Sequence, residues 1–380
     1  DFLQSRMARN EGGYYAAIDA DNKEGEGQYY VFTKEALQEV AQADFDLFVD
    51  YYNIDFEDPF EEHFFLLKKN SIDVSFVKKY GITLAALDQK NKAWLKKLQT
   101  LMELRDFPRL DNKIITSWNA MLVVGLSQAY EAFGDVTFLE KAKRLYSFLK
   151  VHCYKETNFF HTYQNNTAKI DGFLEDYAFM TQAAMALYKN TLKTLYLDDA
   201  IAYTKSVQSK FKDGASPFFT YTEEPTVISK IIEISDNVIP SSNAVMADNL
   251  WTLGQLAGIK SYSEQAAAML QNIYLYFEEG RSSDYAYWAK LFSQEAYPHY
   301  EVIIVGPDAA SMTAEFQKSY LPNILFQSST KASVLPLLKD RFFKGKTYVY
   351  VCQNRVCLRP LDTVKEALDQ IKNWKTPQLP

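Results

Sequence analysis

Two consecutive stretches decide the fold: IITSWNAMLVVGLSQAYEAF at residues 114–133 and VTFLEKAKRLYSFLKVH at 136–152. In the first, apolar residues fall on nearly every side of a helical wheel: Ile114, Ile115, Trp118, Met121, Leu122, Val123, Val124, Leu126 and Phe133. A helix that is apolar all round is a buried helix. In the second, Phe138, Leu139, Ala142, Leu145 and Leu149 recur at helical spacing, with Glu140, Lys141, Lys143 and Arg144 between them. That is a helix with one wet face.

The alternation continues outward. Residues 173–190 and 241–257 are mostly apolar, 194–212 are one-sided and 262–279 intermediate. Buried helix, short turn, amphipathic helix and longer loop repeat with a period of roughly 50–70 residues, the pattern of stacked αα-hairpins with an inner and an outer layer. The expected fold is therefore mainly α, an (α/α) toroid of helical hairpins, incomplete if only three or four hairpins are present. Ser283–Gln294 is a candidate for part of the fourth. Thr83 is a candidate cap for a helix ending near Asp106, before Pro108.

Two regions depart from the pattern. Residues 14–18 and 28–32 read as strands around an acidic, Gly-containing turn from Asp21 to Gly27. Residues 301–306, 323–327 and 347–352 read as strands, with helices near 309–320 and 362–374. The expected division is a toroid over 1–296, with the β-hairpin loop at 12–33, and a small α/β module over 297–380, bounded by Pro298 and Pro307.

Composition excludes several classes. The 380 residues are 47% hydrophobic and 23% charged, which is neither a disordered chain nor a fibre. The net charge of −7 argues against a general nucleic-acid binder, which needs clustered Lys and Arg. No uncharged apolar run approaches the roughly 18 residues of a membrane span. Three cysteines are too few for a disulfide scaffold, so a cytoplasmic location is expected. With Asn354-Arg355 as a two-residue turn, Cys352 and Cys357 come within disulfide reach. Two unreacted thiols are the alternative in a reducing compartment.

Chemistry is sought where acids recur at helix starts. Asp171, Glu175 and Asp176 cluster at the head of a buried helix, where dipole compensation is the ordinary explanation. A second reading turns Glu175 or Asp176 into the mouth of the ring. Lys113, Trp118 and Asn119 lead into one inner helix, and Asp236 and Asn243 into another. Parallel inner helices would bring these starts to one mouth. Asp19 and Asp21 share one strand face and offer a carboxylate pair. A calcium loop starting at Asp19 fails its test, because the fifth, sixth and twelfth positions are Lys23, Glu24 and Tyr30. The four histidines, His63, His152, His161 and His299, have no metal-ligand spacing, and no metal or cofactor is expected. His161 is a minor candidate because it precedes the acidic cluster.

Blocks Gly12–Thr33, Asp111–Leu122, Lys169–Met180, Ile239–Leu250 and the Cys352…Cys357-x-x-Pro360 tail resemble a known family. Its members carry an N-terminal thioredoxin-like domain followed by a six-hairpin helical toroid. They are called spermatogenesis-associated proteins in animals and YyaL-type proteins in bacteria. Ala120 and Ser242 stand where that pattern has Gly. The resemblance implies a toroid similar to those of six-hairpin glycosidases and N-acylglucosamine 2-epimerases. It also implies that the thioredoxin-like portion, and the first toroid helices, lie outside this sequence.

Two functions follow as expectations. One is glycoside hydrolysis, with Asp19 or Asp21 facing Glu175 or Asp176 as acid and base. Lys113, Trp118, Asn119, Asp171, Tyr177, Asp236 and Asn243 would then hold the sugar. The other is a non-catalytic module that binds a glycan, or a polypeptide client of the absent thioredoxin-like portion. Neither involves nucleic acid or membrane.

Overall fold

A computed structural model describes residues 2–60, 64–69, 72–223, 230–278, 282–297 and 299–374. His63 and Pro298 lie outside the described residues. The chain divides into two compact units, residues 17–112 and residues 1–16 with 113–380. This boundary differs from the 296/297 division read from sequence, and the cores explain why.

The 17–112 unit contains β1 (Ala17–Ile18), β2 (Asp21–Asn22), β3 (Gly25–Glu26), β4 (Phe32–Thr33), α1 (Lys34–Ala41) and α2 (Phe45–Tyr51). β5 (Phe64–Phe65), α3 (Asp73–Tyr80), α4 (Leu84–Glu103) and β6 (Leu110–Asp111) complete it. The strands expected at 14–18 and 28–32 do not pair with each other. β2 and β3 form a smaller hairpin, β1 pairs with β6 and β4 with β5. The cause is local: Asn22 Oδ1 accepts from Glu24 N at 2.9 Å, an Asx turn that closes the hairpin early. Thr33 and Thr83 cap α1 and α4 through Ala36 N and Ala86 N. Leu87, Trp94 and Leu98 form the buried stripe of α4 and meet Phe48, Tyr51, Tyr52 and Phe76 in a separate aromatic core. The four helices close on that core, and they supply no inner–outer pair.

The larger unit carries the hairpins. After β7 (Ile114–Ile115) come α5 (Thr116–Phe133), α6 (Val136–His152), β8 (Tyr154–Lys155), β9 (Asn158–Gln164) and β10 (Thr167–Asp171). Then follow α7 (Leu174–Thr191), α8 (Thr194–Lys210), α9 (Ser242–Ala257), α10 (Lys260–Glu278) and α11 (Ala286–Ala296). α5, α7 and α9 pack side by side as the inner layer, and α6, α8 and α10 each pack on the inner helix before them. The unit is thus mainly α, of the helical-hairpin toroid class. Three inner–outer pairs are present among the described residues. α11 rests on α9 and α10 through buried Trp288 and Leu291, as a single helix. Gly134 ends α5 at φ 70°, a left-handed cap where Gly costs least. A Cβ on Gly254 would stand 2.1 Å from Ser263 Oγ, so the small residue lets α9 and α10 approach.

The C-terminal segment adds β11 (Tyr300–Val305), α12 (Ala309–Gln317), β12 (Ile324–Ser329), β13 (Tyr348–Gln353), β14 (Val356–Cys357) and α13 (Val364–Lys372). The sheet order is β12-β11-β13-β14, parallel between β11 and β12 and antiparallel elsewhere. Its strands alternate between two cores. Ile303, Val305, Leu325, Tyr350 and Cys352 join the core of the hairpins, while Val302, Ile304, Phe326, Val349 and Val351 meet α12 and α13. Gln327 Nε2 donates to Tyr188 Oη and to the Leu256 carbonyl. The module therefore shares a core with the hairpins, which is why no boundary falls near residue 296. Among the described residues, no helix is long and apolar enough to cross a membrane.

Candidate active site at the starts of the inner helices

Asp176 sits in the first turn of α7 with no exposure. One oxygen accepts from Ser117 N at 3.0 Å and the other from Phe173 N at 2.9 Å. His161 Nδ1, on β9, lies 3.0 Å from the second oxygen. One carboxylate thus joins the starts of α5 and α7 to the β9 strand, which Thr116 also holds by donating to the Phe160 carbonyl at 2.6 Å. Burial raises the Asp176 carboxyl above its ordinary value, against the pull of His161 and the two backbone donors.

Glu175, one residue earlier, is 7% exposed. Its Oε1 accepts from Ser117 Oγ at 2.8 Å and stands 3.7 Å from His161 Nδ1. Burial raises this carboxyl first, and the Asp176 charge second; Ser117 and His161 oppose them, and Glu233 adds a further push upward. Burial alone would lower His161, but the Asp176 hydrogen bond and the charges of Asp176 and Glu175 leave it raised above 6.5.

Glu233 enters from the segment before α9. Its Oε2 accepts from Ser242 N at 3.0 Å and from Ser242 Oγ at 2.6 Å, and its carbonyl accepts from Asn243 Nδ2 at 2.8 Å. Tyr221 completes the group. Burial lifts its phenol far above 10, and the charges of Glu175, Glu233 and Asp176 add to it. The Tyr221 ring stacks on Phe173 with centroids 5.0 Å apart and planes at 20°, and the His161 ring packs on Phe173 at 4.7 Å. Three inner-helix starts therefore deliver two buried carboxyls with raised pKa, an imidazole and aromatic faces to one place.

No family model matches the chain. The chain is similar to spermatogenesis-associated protein 20. The mouse (Mus musculus) protein of that name is 24% identical over 414 residues, covering 95% of this chain and 52% of its own length. An uncharacterised Caenorhabditis elegans protein is 24% identical over 416 residues, covering 97% of this chain and 56% of its own. The chain thus spans about half the length of the relatives it matches. Among solved structures, a GH76 α-mannanase of Bacteroides thetaiotaomicron overlaps 44% of this chain and 46% of its own at 18% identity and a TM-score of 0.37. A sugar epimerase from a ruminal bacterium overlaps 72% and 67% at 12% identity and a TM-score of 0.37.

Of the residues singled out from sequence, Glu175 and Asp176 come together, with His161 beside them. Trp118 lies in the first turn of α5, 41% exposed. Asn119, Tyr177, Asn243 and Asp236 bond to backbone. Asn119 is buried and clamps Tyr14 by its backbone N–H and carbonyl. Tyr177 is buried, its hydroxyl accepting from Phe159 N at 3.1 Å. Asn243 holds the backbone of Phe219 and Glu233, and Asp236 accepts from Ser241 N and Tyr287 N. Asp171 ends β10 on the surface and Lys113 precedes β7. Asp19 and Asp21 belong to the 17–112 unit, where Asp19 Oδ2 pairs with Arg109 at 3.3 Å.

Sequence reading missed Glu233 and Tyr221. The alternation of Asn158–Gln164 could have placed His161 on a strand. Nothing in the loop around Glu233 marks it. His161, Glu175 and Asp176 also offer three ligand atoms within 4.8 Å of one another, a grouping a divalent cation could use. Both Asp176 oxygens already accept backbone N–H groups, so Asp176 is held in place without an ion.

Proposed function

We propose that this site processes a carbohydrate by acid–base chemistry, with Glu175 as the acid and Glu233 as the second carboxyl. The observation that carries the reading is the burial of Glu175 beside other acids, which keeps its proton to higher pH and suits it to protonate a glycosidic oxygen. Glu233, fixed at the start of α9, would direct a water to the sugar. The role read from sequence for Asp19 or Asp21 passes to Glu233. Asp176 touches no ligand in this reading. It positions His161 and Ser117, and through Ser117 it positions Glu175. The exposed Trp118 ring, with Phe173 and Tyr221, supplies flat apolar faces of the kind that sugars stack on.

The test is a hydrolysis screen of the intact chain against α- and β-linked oligosaccharides, with Glu175→Gln and Glu233→Gln alongside. Loss of an acid is expected to lower the rate by about 10²–10⁴-fold. The wild-type rate should fall on the alkaline side as Glu175 loses its proton, at a pH above that of an ordinary Glu. Cleavage of no sugar, or cleavage untouched by either substitution, overturns the proposal.

A second reading is non-catalytic binding of an extended polypeptide. Ile170, Ile231, Ile232 and Val238 are exposed in segments that lead to the site residues, and aliphatic side chains suit peptide better than sugar. Any role alongside a thioredoxin-like portion belongs to this reading.

A further inference from the structure

Cys352 and Cys357 form a disulfide across the β13–β14 hairpin, closed by Asn354 and Arg355 at φ 51° and 63°. The two sulfurs have different surroundings. Cys352 is fully buried in the core shared with the hairpins. Directly opposite it on β11 stands Glu301, 4% exposed, whose carboxyl burial raises and whose oxygens accept from Arg355 N at 3.0 and 3.3 Å. Cys357 is half-buried at the sheet edge, and Arg341 Nη2 lies 3.2 Å from its Sγ. That guanidinium is itself seated on the Tyr350 ring at 4.7 Å. A carboxyl beside one sulfur and a fixed cation beside the other make the thiolate far easier to form at Cys357.

We propose that this pair is a thiol–disulfide exchange centre for accessible external disulfides, with Cys357 as the attacking sulfur, Cys352 as the resolving one and Arg341 as the positioning residue. In the reduced pair, the Cys357 thiolate attacks one sulfur of the external disulfide. A bond forms between Cys357 and that sulfur, and the other leaves as a thiolate. Cys352 then passes its proton to the external thiolate already released and attacks Cys357 Sγ, restoring the internal disulfide and releasing the second external thiolate. Two electrons pass from the pair to the external disulfide. An external dithiol runs the sequence in reverse.

The probe is dithiothreitol, reduced and oxidised, on the full folded chain. Millimolar reduced dithiothreitol is expected to open the Cys352–Cys357 bond without denaturant, and oxidised dithiothreitol to re-form it. Iodoacetamide labelling of the reduced chain, read by mass spectrometry at Cys357, should give a midpoint below the ordinary thiol value of about 8.5. Cys153 does not confuse the reading, because it is buried and its thiol is pushed up to about 12. Arg341→Gln should raise that midpoint and slow labelling at pH 7 about tenfold, and Arg341→Lys should restore most of it. Unfolding curves of both variants should match the wild type, which separates the effect from damage to the fold. A bond that opens only in denaturant, or a Cys357 midpoint at the ordinary value in both wild type and Arg341→Gln, overturns the proposal.

Discussion

The acids of the 17–112 unit and those at the start of α7 are the same chemical groups in opposite surroundings. Asp44 pairs with Lys90 at 2.7 Å with both side chains about one-third exposed, and Asp19 meets Arg109 on the surface. Water already solvates such charges, so pairing them changes little. Asp176 is fully buried and is met by two backbone N–H groups and an imidazole. There each partner is needed, because an unmet donor in the interior has nothing else to bond. An acidic stretch therefore becomes informative only when its burial is known.

The sharpest way to break the comparison is Asp176→Ala. It strands Ser117 N and Phe173 N and releases His161, at an expected cost of about 3–5 kcal/mol in denaturant unfolding. A cost below about 1 kcal/mol would make Asp176 equivalent to a surface acid. His299 extends the comparison to a half-buried base whose ring nitrogens are shielded from water. Among the described residues neither ring nitrogen has a hydrogen-bond partner, the ring stands edge-on to Trp251, and burial lowers its pKa to about 4. The unfolded chain therefore takes up the proton first as pH falls below 6.5, and stability drains away down to about pH 4. His299→Leu should gain on the order of 1–2 kcal/mol over wild type at pH 5, and much less at pH 8. Thermal melts at the two pH values check this, and an equal effect at both contradicts it. Asp44→Ala is the smallest change: below about 1 kcal/mol, and smaller still in high salt.

Much of the hairpin pattern was legible because helix burial is written at a spacing of 3.6 residues. The apolar wheel of 114–133 and the one-sided wheel of 136–152 are α5 and α6, and the strands near 301–306, 323–327 and 347–352 are β11, β12 and β13. The helix starts were legible as acidic and polar, but not by role. Tyr177, Asn119 and Asn243 look like ligand-facing residues in a list of helix starts, yet each is buried against backbone. Glu233 carried no local signal, since its partners, Ser242 and Glu175, lie 9 and 58 residues away. The 17–112 unit was read as part of the ring because its aromatic core and its β1–β6 and β4–β5 pairings join residues far apart in the chain.

Sequence alone determined the helices of the three hairpins, which of them are inner, and that acidic and polar residues gather at their starts. Periodicity and capping are local, so neighbouring residues suffice to specify them. Only the tertiary structure decided which acid is buried, which is solvated, where the chain divides and which cysteine lies beside a cation. Those properties depend on what packs against each side chain from remote parts of the chain, and dielectric and hydrogen-bond supply follow from that packing.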